Sequence, residues 1–232
     1  MRSLFQEELA FTSDQLVEMS RLSARALDRA TQSLMEADLA LAEQVITDDE
    51  QIDALRRDLD NRSIDILARQ QPVATDLRQL VTALRMSSDL ERSGDLARHV
   101  AKLARLRYPH GAVPEELRGV FAEMAVVARE MVLRAGEIVA AHDPNGAREL
   151  QLRDDTMDRL HREVFRVLLD PEQPVDTQSA IDATLLSRYY ERFADHAVSV
   201  AIRVVYLVTG MWHDEQVPGA YESAVRVPPA RD

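Results

Sequence analysis

The stretch 83–101, ALRMSSDLERSGDLARHVA, recurs one hundred residues later as the stretch 183–201, ATLLSRYYERFADHAVSVA. Eight of these 19 positions carry identical residues, where chance predicts about one. The shared residues are Ala83/Ala183, Ser87/Ser187, Glu91/Glu191, Arg92/Arg192, Asp95/Asp195, Ala97/Ala197, Val100/Val200 and Ala101/Ala201. The recurrence indicates that the chain arose by internal duplication.

The duplication extends upstream at an offset of 105 residues. The matched pairs there are Asp38/Asp143, Ala42/Ala147, Asp49/Asp154, Asp53/Asp158, Leu55/Leu160 and Arg57/Arg162. The change of offset falls between two elements of each copy, where a loop tolerates insertions. Each copy is therefore expected to contain three elements.

Those elements are expected to be long helices. Residues 1–93 contain no glycine and one proline, and apolar residues recur at spacings of three and four from Leu16 to Leu34. Asp38 and Asp143 are expected to cap the second helix of each copy, and Gly210 to end the last helix. The expected helices are one around residues 16–34, followed by residues 39–67, 74–107, 115–141, 144–169 and 177–209.

The pattern predicts an all-α fold in which six long helices form two tandem antiparallel three-helix bundles. The first repeat is expected to span residues 1–110 and the second residues 111–212. Residues 213–232 contain several prolines and show no helical spacing of apolar residues, so we expect a mobile C-terminal tail. Tyr189 and Tyr190 are expected to be half-exposed.

The composition excludes several classes of protein. Aromatic residues make up only 5% of the 232 residues, with seven glycines and nine prolines, which disfavours β-sandwiches and barrels. The absence of cysteine excludes disulfide scaffolds, zinc fingers and iron–sulfur centres. A net charge of −12 disfavours nucleic acid as a partner and favours cations.

The chain is expected to be soluble and cytoplasmic. Residues 1–8 turn acidic at once and carry no apolar run of the kind found in secretion signals. The longest stretch without Asp, Glu, Lys or Arg is Val204–His213, far short of the about 20 residues that a transmembrane helix needs.

Four pairs of acidic residues with a spacing of four recur at matching positions of the two copies. They are Asp49/Asp53 and Glu91/Asp95 in the first copy, and Asp154/Asp158 and Glu191/Asp195 in the second. Residues four apart share one helix face, so each pair presents two carboxylates side by side. Antiparallel packing would gather four carboxylates in each copy, an all-oxygen donor set that suits a hard cation such as Mg²⁺, Mn²⁺, Ca²⁺ or iron.

Two other interpretations of the acidic pairs stay open. About seven such pairs are expected by chance in a chain with 40 acidic residues, so each pair could be a solvated helix face. Arg57, Arg92, Arg98 and Arg162 could also neutralise the carboxylates through ion pairs along the helices. The functional alternatives are a helical metal-dependent enzyme and a structural adaptor with an acidic surface, although no nucleophile or base recurs with the carboxylates.

Two long motifs resemble the PhoU family. QQPVATDLR at residues 70–78, followed by DLERSGD at residues 89–95, is similar to the third helix of that family. YERFADHA at residues 190–197 and VYLVTG at residues 205–210 resemble the corresponding part of its second repeat. ADLALAEQVI at residues 37–46 and LARHVAK at residues 96–102 are similar to its PhoY-type branch. The resemblance covers about residues 4–212.

This resemblance implies a non-enzymatic accessory protein of phosphate transport that restrains the phosphate-starvation response. The implied partners are a sensor histidine kinase and the ATPase of a phosphate ABC transporter, with association at the membrane through these partners. The resemblance also implies a homodimer. It further implies divalent or trivalent ions (iron, manganese, magnesium or zinc) on the four acidic pairs.

The chain departs from the family pattern beside the acidic pairs. Leu96 stands where histidine is common, and Arg98-His99 lies in a region that often carries asparagine. In the second copy, Tyr189 stands opposite Asp89, and Ser199 lies in the asparagine region. These departures put the number of bound ions in doubt.

Overall fold

The computed structural model describes residues 2–172 and 175–211. This part of the chain is helical apart from its connecting loops, which confirms the all-α prediction. Its helices are α1 (Arg2–Glu36), α2 (Leu39–Asp48), α3 (Glu50–Gln70), α4 (Ala74–Arg107), α5 (Glu115–Ala141), α6 (Pro144–Leu168) and α7 (Thr177–Thr209). Since α2 and α3 together correspond to the expected second helix, the seven helices of the described residues correspond to the six expected ones. The expected C-terminal tail lies outside the described residues.

Side-chain caps fix the ends of several helices. Asp38 accepts a hydrogen bond from the backbone N–H of Leu41 at 2.9 Å. Asp143 does the same for α6, accepting from the N–H of Asn145 at 3.0 Å. Gly210 ends α7 with a φ of +77°, a conformation that glycine adopts without a steric penalty. The predicted caps and the predicted stop are therefore confirmed.

The second helix differs from its prediction because it is interrupted at Asp49. Asp49 keeps right-handed helical dihedrals, with φ −55° and ψ −30°, but the helix is divided there into α2 and α3. The matching residue of the second copy, Asp154, lies within the continuous helix α6. The interruption falls at a carboxylate that is only 5% exposed and is ion-paired to α4.

One large apolar core runs through both copies. It includes residues of α1 and α4 together with residues of α5, α6 and α7. Tyr190, expected to be half-exposed, is fully buried, and its hydroxyl lies 2.7 Å from Thr31 Oγ1 of α1. The Tyr190 ring also packs against Phe121 of α5 with 5.9 Å between ring centroids.

Polar contacts join the third helices of the two copies. Asp89 of α4 lies 3.2 Å from His196 Nδ1 and accepts a hydrogen bond from Arg203 Nε at 2.8 Å, both on α7. His99 of α4 stacks on Tyr189 of α7 at 5.3 Å.

The helices also bear on the question of membrane insertion. Within the described ranges, no helix is long and apolar enough to span a membrane.

Candidate metal centres

The eight predicted metal ligands form two clusters, one in each copy. The first acidic cluster consists of Asp49, Asp53, Glu91 and Asp95, and the second of Asp154, Asp158, Glu191 and Asp195. Asp49 and Asp154 each interact electrostatically with the other three members of their own cluster. The helix packing therefore brings together the carboxylates that the repeat pattern matched.

Close backbone packing gives the first acidic cluster its shape. A Cβ atom at Gly94 of α4 would lie 2.7 Å from Ile52 Cδ1 and 3.1 Å from Asp49 Oδ1. Glycine at position 94 therefore lets Asp49 approach α4 closely. At the matching position the second copy carries Ala194, and α6 is not interrupted there.

Two arginines neutralise the first acidic cluster from within. Arg98 of α4 forms ion pairs with Asp95 and with Asp49, whose Oδ2 atom lies 2.7 Å from Arg98 Nη1. Arg56 of α3 places Nη1 3.1 Å from Glu91 Oε1. The guanidinium groups thus contact three of the four carboxylates and link the α2–α3 junction to α4.

Burial and repulsion still raise the pKa of the Asp49 carboxyl group. Burial raises the pKa of Asp49 to about 6, the Arg98 guanidinium opposes this, and the other three carboxylates raise it further. Glu91 Oε2 is buried without a hydrogen-bond partner. The charges of the first acidic cluster are therefore only partly compensated.

The second acidic cluster has fewer cationic partners. Burial raises the pKa of Asp154 to about 6, with repulsion from Asp195, Asp158 and Glu191 next in size. Glu191 is paired with Arg188 at 2.5 Å. Among the described residues, no lysine or arginine forms an ion pair with the side chains of the three aspartates of this cluster.

The difference arises at two matched positions. Arg56 corresponds to His161 at the offset of 105, and Arg98 corresponds to Val198 at the offset of 100. His161 Nδ1 lies 2.6 Å from Ser187 Oγ. The second copy therefore has no arginine at either place from which the first copy neutralises its carboxylates.

Only some of the arginines that the sequence suggested as partners of the acidic pairs form ion pairs with them. Arg98 pairs within the cluster as anticipated, and Arg92 lies 3.6 Å from Asp95. Arg57 instead pairs with Glu50, and Arg162 donates to the backbone carbonyl of Asp158. Sequence reasoning missed Arg56, although its position three residues after Asp53 places it on the face of the acidic pair.

No three acidic or histidine side chains of the described residues are arranged to hold a metal ion. The assignment of metal to the eight carboxylates therefore stays a prediction. The donor chemistry fits a hard cation only in the second acidic cluster, where three carboxylates lack a cationic side chain. In the first acidic cluster, arginines already form ion pairs with Asp49, Glu91 and Asp95.

Comparison with known proteins identifies relatives along most of the chain. The PhoU domain pattern matches residues 16–104 and again residues 121–204. PhoU homolog 2 of Mycobacterium tuberculosis, a phosphate-specific transport system accessory protein, is 50% identical over 210 residues, which are 90% of this chain and 99% of the relative. PhoU homolog 1 of Mycobacterium leprae is 48% identical, covering 95% of this chain and the whole relative.

Solved structures share the architecture. The crystal structure of PhoU from Pseudomonas aeruginosa matches with a TM-score of 0.77 and 31% identity, over 89% of this chain and all of that one. PhoU from Streptococcus pneumoniae matches with a TM-score of 0.79 over 89% of this chain and 98% of that one. At 24% identity, the second likeness concerns the fold alone.

Proposed function

The chain belongs to the PhoU family, and on that premise we propose that it is an accessory protein of a phosphate-specific transport system that restrains the phosphate-starvation response. The family consists of non-enzymatic regulatory proteins. The observation that carries the proposal is the match of both PhoU domains, together with relatives of about half identity over nearly their whole length.

The regulation acts through binding. The proposed partners are a sensor histidine kinase and the ATPase of the phosphate ABC transporter, which the protein joins at the membrane from the cytoplasm as a homodimer. A partner shifts a kinase between two states only when it binds one state more tightly. The protein therefore binds the restrained state of the kinase more tightly when phosphate is plentiful.

A deletion strain tests this function. Removing the gene, together with any other PhoU-domain gene of the same cell, should raise a phosphate-starvation reporter during growth in excess phosphate. Restoring the gene should return the reporter to its low level. An unchanged reporter in the deletion strain would contradict the proposed regulation.

Tagged protein recovered from the same cells tests the partners separately. The kinase and the transporter ATPase should be enriched with the full chain and absent from a tag-only control. Loss of both from the recovered material would contradict the proposed partners while leaving the reporter result to decide regulation.

We further propose that the second acidic cluster binds a metal ion, of which iron, manganese, magnesium and zinc are the candidates. Support comes from the three aspartates, Asp154, Asp158 and Asp195, that pair with no lysine or arginine in the described part of the chain. Asp195→Asn should lower the metal content of the purified protein, since an amide removes a charge that offsets cation desolvation. A metal-free wild type that also fails to take up Mn²⁺ would favour a purely structural acidic adaptor.

A further inference from the structure

The two acidic clusters match in their carboxylates but differ in the residue at one matched position of the third helix, which is arginine in the first repeat and valine in the second. Arg98 of α4 contacts Asp49 and Asp95 in the first acidic cluster. Val198 of α7 holds the matching position in the second repeat, and it packs against the apolar core. The first repeat therefore carries an arginine at this position and the second does not, although Arg188 pairs with Glu191 in the second acidic cluster.

We propose that Arg98 is a permanent, covalently tethered cation that takes the place of a metal ion in the first acidic cluster, so that this repeat assembles without metal. It follows that metal binding is confined to the second acidic cluster. This part of the proposal rests on the metal binding proposed above for that cluster. The statement about Arg98 stands independently, because it concerns contacts that the first repeat makes by itself.

Charge supports this role. The two less exposed arginines, Arg56 and Arg98, bring two positive charges to three of the four carboxylates, the same charge that a divalent ion would bring, and the more exposed Arg92 lies 3.6 Å from Asp95. A guanidinium group is always protonated and presents its N–H donors in a planar fork that suits carboxylates. The first acidic cluster therefore contains a cation under all conditions, whatever the metal supply.

Geometry supports it as well. The Arg98 guanidinium lies between Asp49, at the junction of α2 and α3, and Asp95 on α4. It thereby connects the two helical elements that a metal bound to these carboxylates would have to connect. Asp49 is 5% exposed, and its carboxylate and that of Asp95 both form ion pairs with Arg98, so the guanidinium is placed between the two.

Displacement by a metal would carry a penalty. A metal that took the oxygen atoms of Asp49 and Asp95 would leave the half-buried Arg98 guanidinium without its carboxylates, and an uncompensated buried charge is strongly unfavourable. In the second repeat, Val198 imposes no such penalty. Arg98 therefore competes with a metal for the carboxylates of the first repeat, whereas Val198 cannot compete for the matching carboxylates of the second.

The test compares two variants that each remove one positive charge beside the same cluster. Arg98→Gln removes the central guanidinium. Arg92→Gln removes the guanidinium group of Arg92, whose side chain is 64% exposed and whose Nη1 atom lies 3.6 Å from Asp95 Oδ2. Chelator-treated proteins are dialysed against Mn²⁺, and bound manganese is measured by elemental analysis. Arg98→Gln should bind about one more ion per chain than wild type, and Arg92→Gln should match wild type.

A second substitution locates the additional ion. In the Arg98→Gln background, Asp95→Asn should remove the additional ion, because it removes a carboxylate of the first acidic cluster. Asp195→Asn should leave the additional ion in place. Failure of Arg98→Gln to gain manganese, or persistence of the additional ion after Asp95→Asn, would overturn the proposal.

A measurement on the wild type covers the case in which Arg98→Gln does not fold. Bound Mn²⁺ broadens the NMR signals of nearby nuclei, so a titration reports which cluster is occupied. The amide signals of Gly94 and Ala97 should keep their intensity in wild type. Selective broadening of these two signals would place metal beside Arg98 and overturn the proposal, whatever the starvation reporter shows.

Discussion

Asp49 and Asp154 hold matching positions of the duplication. Their pKa values show how neighbouring side chains affect the stability of a buried carboxylate. Burial is the largest influence on both carboxyl groups, and each has a pKa raised to about 6. Arg98 opposes the shift at Asp49, whereas the influences next to burial at Asp154 are all further carboxylates. At Asp154 a negative charge is therefore unfavourable, and no arginine is among the influences that offset it.

This cost predicts a pH-dependent stability. The pKa of Asp154 rises from 3.8 to about 6 on folding, so between these values the folded chain binds more protons than the unfolded chain, and stability falls as pH rises. Asp154→Asn mimics the protonated group. In the presence of chelator it should raise the melting temperature at pH 7.5 and leave it nearly unchanged below pH 3.8.

The adjacent exposed residue provides the control for that measurement. Asp155→Asn removes the same formal charge one position away, and repulsion from Asp155 is the smallest influence on Asp154. Its effect on the melting temperature at pH 7.5 should therefore be smaller. Equal melting temperatures for Asp154→Asn and wild type at that pH would show that burial does not penalise the charge.

At the scale of the helices, close approach between α1 and α5 depends on one small residue. A Cβ atom at Gly136 of α5 would overlap Ser20 Oγ of α1 and lie 3.1 Å from Ser20 Cβ. Both residues are buried. Because α1 belongs to the first repeat and α5 to the second, this contact helps to set the distance between the repeats.

Two glycines of the same helix form a matched pair for a test. Gly136→Ala should destabilise the protein by about 2 kcal/mol, since an added methyl group forces a packed core apart. Gly119→Ala should stabilise it by about 0.5 kcal/mol, since no atom lies within 4 Å of the added Cβ and alanine favours a helix. Urea unfolding measures both, and equal effects of the two substitutions would contradict the close contact.

At the scale of the whole molecule, the two repeats share one core. Buried residues from α1 to α7 form a continuous apolar cluster. Thr31 and Tyr190 bond across the repeats within it, and Asp89 pairs with His196 and Arg203. The predicted division between residues 110 and 111 therefore separates sequence units that are packed together in the fold.

A separated repeat should not keep its structure. Residues 1–113 alone would expose the faces of α1 and α4 that pack against α5 and α7, and most of the apolar stabilisation of those faces would be lost. We expect this fragment to unfold over a broad temperature range without a cooperative transition. Mixing it with residues 114–232 should restore a cooperative transition near that of the intact chain, as followed by circular dichroism.

A sharp transition for residues 1–113 alone would contradict the shared core. It would show that the first bundle is an independent domain. The intact chain, melted under the same conditions, provides the reference.

The sequence by itself determined the helical class, the duplication, the N-terminal caps of two helices and the end of the last one, whereas α1 begins well before the expected residues 16–34. Caps, glycine stops and apolar spacing act within a few residues of the chain, so Asp38, Asp143 and Gly210 carry their signals locally. The matched carboxylates could likewise be found by offset alone. Their gathering into two clusters followed once the helices were known to pack against each other.

Only the tertiary structure decided which cations face those carboxylates. Arg56 and Arg57 are adjacent in sequence, yet one pairs with Glu91 across the helices and the other with Glu50 on its own helix. The burial of Tyr190 and the interruption at Asp49 also depend on groups brought from distant parts of the chain. Electrostatic and packing energies depend on distance in space, and helix packing alone sets which residues, far apart in sequence, come within that distance.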